Sequence, residues 1–348
     1  MKLSDFKFDL PQKLIAKDPL PSRDDARLMV LHRATGEIEH RQFKDLPDIF
    51  TDMDTLVLNN TKVRPARLIA RKTGDSQDVE VLLVRELRAE DKIWEIVTAQ
   101  ARKIRVSNKL YFGNGELVAE VQDNTTTRGR TIKFIHDGTL EELYNTLEHL
   151  GHAPIPEYLD RASTETDRER YQTVYSKHVG AVAAPSAGLH FTKILLKRLE
   201  LVGVQIGEVT CHTGLATFKD IEVEDLSKHK MESEAYIIEQ KVVDQVNASK
   251  LEKKKVCAVG LSTLKTLETS ITANNMLKAG EGWTDKFFIP PHQFKISNSL
   301  ITNFHLPNST PLVMAAAFAG HDLLMKAYKE AIKEKYRFYC YGDAMLIL

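Results

Sequence analysis

The sequence predicts an α/β protein: a mostly parallel sheet or barrel covered by helices, interrupted by an antiparallel β insert. Three observations carry this. Strand-like and helix-like runs alternate from about residue 154 onward, and short β-rich runs with almost no helical periodicity fill residues 63–135. Ahead of that insert, Thr55-Leu56-Val57-Leu58-Asn59-Asn60 reads as a buried parallel strand. The α/β unit is therefore expected over residues 1–60 and 154–348, with residues 61–153 inserted between its halves.

In the insert the runs are Ala66 to Ala70, Val79 to Val84, Ile93 to Thr98, Lys109 to Phe112, Leu117 to Val121 and Arg130 to Ile135. Thr73-Gly74-Asp75, Gly113-Asn114-Gly115 and Asp123-Asn124 break them apart, a spacing that predicts a small antiparallel barrel or sandwich. Beyond the insert, Ala181 to Ala184 is apolar and strand-like. Thr192 to Leu201 reads as a helix, with Thr192 as its N-cap and Gly203 as its stop, and Val204 to Thr210 as a strand. The alternation continues with a helix at Val242 to Leu251, a strand at Lys255 to Gly260, a helix at Ser262 to Ile271 and a strand at Leu300 to Phe304. Leu323 to Lys335 closes the series as a one-faced helix.

The 348 residues allow about two domains, each with its own core. Hydrophobic residues are 43% and charged residues 28%, which excludes a disordered or collagen-like chain. Lys+Arg 48 balances Asp+Glu 48, so no globally basic surface exists for nucleic acid. Cys211, Cys257 and Cys340 are odd in number and far apart, which argues against a disulfide framework or structural zinc and fits a reducing cytoplasm. No apolar run approaches a membrane span, and the N-terminus carries no export pattern. Neutral net charge permits a monomer, the oligomeric state expected.

Ligands of parallel α/β folds bind beyond the carboxyl ends of the strands. The loops expected there are Asn59-Asn60-Thr61-Lys62, Pro185 to Thr192, Cys211 to Phe218, Leu261 to Thr266 and His305 to Thr310. Three of them hold a histidine: His190, His212 and His305. Singly, a histidine beside a turn is ordinarily a hydrogen-bonded structural residue, but three on one rim suit proton transfer. Ser262 and Thr263 could equally cap the following helix. Cys211-His212 lacks the companions of a metal site, so no metal is expected, and Ser186 lacks the frame of a nucleophile elbow, so no triad hydrolase is expected.

The insert is charge-asymmetric. Residues 61–135 hold 15 Lys+Arg against 10 Asp+Glu. Lys62, Arg64, Arg67, Arg71 and Lys72 form one cluster and Arg102, Lys103, Arg105 and Lys109 another, as a surface gripping a phosphate backbone would.

Taken together, several long motifs resemble the S-adenosylmethionine:tRNA ribosyltransferase-isomerase family of queuosine biosynthesis. They are the run from Leu56 to Leu68, Ala184-Pro185-Ser186-Ala187-Gly188-Leu189-His190-Phe191-Thr192, and Asn303-Phe304-His305-Leu306-Pro307-Asn308-Ser309-Thr310. His229-Lys230-Met231-Glu232-Ser233-Glu234, Gly282-Trp283-Thr284-Asp285 and the stretch Tyr336 to Met345 complete the set, in order, over essentially the whole chain. The resemblance implies a barrel-like α/β main domain with an inserted six-stranded antiparallel β-barrel. It also implies the reaction: the ribosyl group of S-adenosylmethionine, the co-substrate, moves onto 7-aminomethyl-7-deazaguanine at the tRNA wobble position. Epoxyqueuosine-tRNA forms, and adenine and methionine leave.

On that reading His190 and His212 are expected to transfer protons. Asn303, Ser262 and Thr263 would orient ribose or methionine, and Asp343 would hold a cation or ribose hydroxyl. Asn60, Ser186, Gly188, Thr213, Gly214, Lys265 and His305 complete the expected substrate site, while Lys62, Arg64, Arg67, Arg102, Lys103 and Arg105 would grip the anticodon loop. Ala216, Lys265, Glu157 and Pro311 depart from the usual family pattern; Pro311 is expected to interrupt the usual apolar run after Thr310, and Lys265 stands where arginine is common, keeping the charge but losing the bidentate fork. Two other classes compete: a metal-dependent hydrolase on a barrel fold, and a non-catalytic tRNA-binding paralogue.

Overall fold

The computed structural model describes residues 1–72, 77–214 and 221–348. The turn expected at Thr73-Gly74-Asp75 and the departure at Ala216 lie outside the described residues.

The chain opens with strands β1 (Arg27–Leu31), β2 (Ile38–Gln42), β3 (Thr55–Asn59) and β4 (Thr61–Val63). Six strands follow: β5 (Arg67–Lys72), β6 (Asp78–Arg88), β7 (Ile93–Val97), β8 (Lys109–Phe112), β9 (Leu117–Asn124) and β10 (Gly129–Ile135). They close into an antiparallel barrel in the order β10-β7-β6-β5-β8-β9. Alternation explains the closure: Leu68, Ala70, Val79, Val81, Leu83 and Ile96 point inward with Trp94, Phe112 and Phe134, while their neighbours face solvent. Helix α1 (Leu140–Leu150) adds Leu143 and Leu147 to that core. Thr139 caps it, its hydroxyl accepting the Glu142 N–H while the Glu142 carboxylate accepts the Thr139 N–H.

After α2 (Glu165–Arg170) come β11 (His178–Ala181), α3 (Lys193–Leu201), β12 (Gln205–Cys211), β13 (Glu234–Ile238), α4 (Gln240–Leu251), β14 (Val256–Val259) and α5 (Leu261–Leu267). Then follow β15 (Gly280–Thr284), β16 (Ser299–Asn303), α6 (Thr310–Ala319), α7 (His321–Lys333) and β17 (Ala344–Ile347). A nine-stranded mixed sheet runs β15-β13-β12-β3-β14-β16-β17-β1-β2. Its centre, β12, β3, β14 and β16, is parallel. Every residue of β3, β14, β16 and β17 is buried, because both faces are covered. On one face Val57, Val209 and Ala258 meet α4 to α7 through Val242, Leu264, Leu312 and Leu324. On the other, Leu56, Leu58 and Val259 meet Phe43, Phe191, Leu195 and Leu199.

The Thr192 hydroxyl accepts the Leu195 N–H at 3.0 Å, so α3 begins where its cap was expected. Three expectations fail locally. The apolar run at Ala181 to Ala184 is not a strand of the main sheet: β11 ends at Ala181 and pairs only with β4, as a separate two-stranded ribbon. The helix expected to reach Ile271 stops at Leu267, where buried Glu268 turns away to accept the backbone N–H groups of Lys295, Ile296 and Ser297. Pro311 does not interrupt an apolar run but sits in the first turn of α6, where a missing N–H costs nothing.

Among the described residues no helix is long and apolar enough to cross a membrane.

Candidate active site

The carboxyl ends of β12, β3, β14 and β16 meet at one rim, and Asn59 ties three of their loops together. Its Oδ1 accepts the N–H groups of Thr61 (3.1 Å) and Cys211 (3.0 Å), and its Nδ2 donates to the Cys211 carbonyl (2.9 Å) and to Ser262 Oγ (3.0 Å). Both donors and both acceptor positions of one fully buried amide are thus used. Ser262 is fixed in place from behind.

In front of Ser262 opens a cleft of about 670 Å³, counting its mouth, walled by Pro185, Ser186, Ala187, Thr213, Gly260, Leu261, Thr302, Thr310, Pro311, Met231 and Met314. Lys265, Glu234 and His305 complete it. Lys265 Nζ is paired with Glu234 Oε2, and both side chains are almost fully buried. The second oxygen, Oε1, accepts the Gly214 N–H at 3.0 Å. Next to this pair, burial pushes the Cys211 thiol up to about 12, so it stays neutral. His305 shares a 2.8 Å hydrogen bond with Thr302 Oγ1, and burial pushes its imidazole down to about 3. It is a neutral ring at physiological pH.

Strand alternation sends the neighbouring residues to the opposite face. Asn60, expected at the substrate site, donates instead to Glu208 Oε2 (3.0 Å) and accepts from Thr210 Oγ1 (2.7 Å). The His212 ring packs so closely on Gly180 that a Cβ there would lie 2.6 Å from it, and its Nδ1 is 2.8 Å from Thr61 Oγ1. Burial holds its pKa below the ordinary histidine value, helped by His178 and Arg64. His190 lies in a third environment, 4% exposed, stacked on Phe43 and 3.1 Å from Asn303 Nδ2. Burial, with Arg337 and Arg23 nearby, pushes it down to about 3. The three histidines therefore do not share one pocket: of them, only His305 walls the cleft.

Other expected residues prove to be committed elsewhere. Thr263 is fully buried and gives its hydroxyl to the Val259 carbonyl at 2.8 Å. Gly188 is required by packing, since a Cβ would come within 2.0 Å of Tyr175 Oη. Asp343, expected to hold a cation or a ribose hydroxyl, accepts the Arg27 N–H (2.9 Å) and the Arg337 N–H (2.7 Å), one on each oxygen. Asn303 donates to the Tyr339 carbonyl at 3.0 Å as well as meeting His190. Ser186, Thr213, Ser262, Lys265 and His305 do line the cleft, and Gly214 touches it through Glu234. Glu234, Asn59 and Thr302 were not singled out; Glu234 does close the His229–Glu234 motif, its one sequence signal.

Of the basic residues, Lys62, Arg102, Lys103 and Arg105 are exposed. Arg64 instead lies over the Trp94 ring, 4.4 Å from its centroid, and burial lowers its pKa. Arg67 is paired with Glu80 and donates to the Ile155 carbonyl at 2.8 Å. Among the described residues no group of three His, Cys, Asp or Glu side chains is arranged to hold a metal ion.

The family described as "Queuosine biosynthesis protein" matches residues 3–347. The chain is 56% identical to the S-adenosylmethionine:tRNA ribosyltransferase-isomerase of Flavobacterium psychrophilum and 56% identical to that of Amoebophilus asiaticus, over the whole of each chain. It is also similar to the crystal structure of S-adenosylmethionine tRNA ribosyltransferase from Thermotoga maritima. That likeness has a TM-score of 0.54 and 32% identity, and covers 99% of this chain and all of the other.

Proposed function

Because the chain belongs to the queuosine biosynthesis family, we propose that its rim cleft binds S-adenosylmethionine and that the opposite side of the same rim receives the tRNA base. The chain is a transferase-isomerase: it moves and rearranges the ribosyl moiety of S-adenosylmethionine. The acceptor on this reading is 7-aminomethyl-7-deazaguanine at the wobble position of tRNA, and adenine and methionine are released.

The observation that carries this reading is the cleft itself, with a buried Lys265–Glu234 pair behind a serine locked by Asn59. S-adenosylmethionine brings a sulfonium, a zwitterionic amino-acid end and hydroxyls. Glu234 offers a carboxylate toward cationic groups, Lys265 a cation toward the carboxylate, and Ser262, Thr213 and Ser186 offer hydroxyls. Met231, Leu261 and Met314 supply apolar wall for adenine and keep out water that would intercept a reactive ribosyl species.

Carbon beside a sulfonium is unusually acidic, so loss of a C5′ proton gives an ylide that rearranges as adenine leaves. His305 is the imidazole that walls the cleft and is proposed as the acceptor of this proton. The acceptor amine is an ammonium in water and must lose a proton before its nitrogen attacks. His212, also held neutral and lying on the other face, is proposed for that step. His190, almost fully enclosed, acts through Asn303 as a positioning residue.

Purified protein is mixed with S-adenosylmethionine and tRNA carrying the aminomethyl-deazaguanine, and free adenine and nucleoside mass are followed. Adenine matched by the ribosyl-derived mass gain is the expected result. Intact S-adenosylmethionine, or S-adenosylhomocysteine in place of adenine, would overturn the reading.

A further inference from the structure

The motif Gly282-Trp283-Thr284-Asp285 has no part in the cleft, yet Trp283 is conspicuous. It stands on β15, the outer strand of the main sheet, and is 58% exposed, whereas the chain's other tryptophan, Trp94, is 1% exposed inside the barrel. Strand register identifies its neighbours. Across β12 and β13, Thr210 faces Ile237 and Cys211 faces Tyr236, and the His212 N–H donates to the Ala235 carbonyl at 2.9 Å. Ala235 in turn faces Trp283.

Residues directly opposite one another in antiparallel strands share a face. His212, Ala235 and Trp283 therefore form one row, on the face away from Glu234 and Tyr236, which pack inward. With strands about 4.8 Å apart, the backbones of His212 and Trp283 are roughly 10 Å apart. Within the row, Ala235 is the residue between them. A nucleobase occupies about 3.4 Å of a stack, which such a gap accommodates. Charges of both signs flank the row: Thr61, bonded to His212, is followed by exposed Lys62, whose ribbon partner strand begins with exposed His178, while exposed Glu281 stands two residues before Trp283 on the same face of β15.

We propose that Trp283 is a stacking platform for an unpaired base of the tRNA anticodon loop, which enters the row over Ala235 between Trp283 and His212. The inference rests on the reading above, in which RNA approaches this face. Loop bases are unstacked and can be splayed onto aromatic rings, and every base offers a π-face. The exposed position of Trp283 is then the cost of a platform that is covered only in the complex.

The test uses the full chain and a stem-loop RNA carrying the aminomethyl-deazaguanine, with intrinsic fluorescence and RNA anisotropy read together. RNA should quench the wild-type tryptophan emission, and Trp283→Phe should lose the quench while binding within a few fold of wild type. Trp283→Ala should raise the Kd for the stem-loop and the KM for tRNA by about fivefold to a hundredfold, leaving the KM for S-adenosylmethionine unchanged. Ala235→Leu, which fills the gap, should weaken RNA binding in the same selective way. Wild-type affinity in Trp283→Ala, or RNA binding without quenching, overturns the inference. So does quenching that follows protein concentration without RNA, which would mark β15 as an edge joining two copies. The underlying reading fails separately, through absent adenine release in the wild type.

Discussion

Consecutive residues of one strand serve two different compartments at the rim of the main sheet. Asn59, Cys211 and Glu234 lie on the cleft side of the sheet, where only Glu234 of the three lines the cleft; Asn60, His212 and Ala235 face the other way. The contrast is sharpest in the ion pairs. Lys265 and Glu234 are 4% and 5% exposed, while Lys177 and Glu208, 2.6 Å apart on the other face, are 56% and 27% exposed. A pair taken out of water is a commitment, because either charge alone would be stranded, whereas an exposed pair is nearly neutral in energy. On the proposed reading, the cleft face is fixed before its ligand arrives, and the opposite face stays accessible to a large partner.

The strongest way to break that comparison is to remove one cation from each side. Lys265→Met should cost about 3–5 kcal/mol in urea unfolding, with Glu234→Gln in the same chain recovering much of it. Lys177→Met should cost less than about 1 kcal/mol. Equal losses would mean that the two faces do not differ in dielectric as described. Next in size, His212→Ala should cut turnover about a hundredfold or more with the KM for S-adenosylmethionine unchanged. His190→Ala should lower turnover and melting temperature together, because Asn303 loses a partner inside a closed space.

Acid should probe the same division. His190 and His305 titrate near 3 in the folded chain against an ordinary value of 6.5, so between those values the unfolded chain binds more protons. Their contribution to stability is complete above pH 6.5 and is lost as the pH falls toward 3, at roughly 1.4 kcal/mol per pH unit for each histidine. His305→Gln should remove one proton from that slope in a pH series of urea midpoints. An unchanged slope would mean that the ring is not held neutral in the cleft.

Much of this was legible in the sequence, for identifiable reasons. Strands covered on both faces leave continuous apolar runs, so β3, β14 and β16 could be read, and with them the rim and its residues Ser262, Lys265, Thr213, Ser186 and His305. Helix α6 was not, because it is buried all round and has no apolar stripe to betray its period. The faces were not legible either: choosing Asn59 over Asn60, or separating Cys211 from His212, requires the register of neighbouring strands. Glu234 escaped because its cation lies 31 residues along the chain, a contact that exists only after folding.

The smallest effect extends the comparison to the barrel, where like charges differ in availability. Arg102, Lys103 and Arg105 are exposed, whereas Arg67 is held by Glu80 and the Ile155 carbonyl. A cation that meets a phosphate releases counterions, so removing it flattens the dependence of log Kobs on log salt by about 0.7–0.9. Each of Arg102→Ala, Lys103→Ala and Arg105→Ala should do this for tRNA binding without moving the melting temperature. Arg67→Ala should behave in the opposite way, lowering the melting temperature and leaving the slope intact, since its charge is already spent within the protein. If Arg67→Ala flattened the slope as much as Arg102→Ala, RNA would have to displace Glu80 on binding, and the barrel would be a surface that rearranges rather than one that waits.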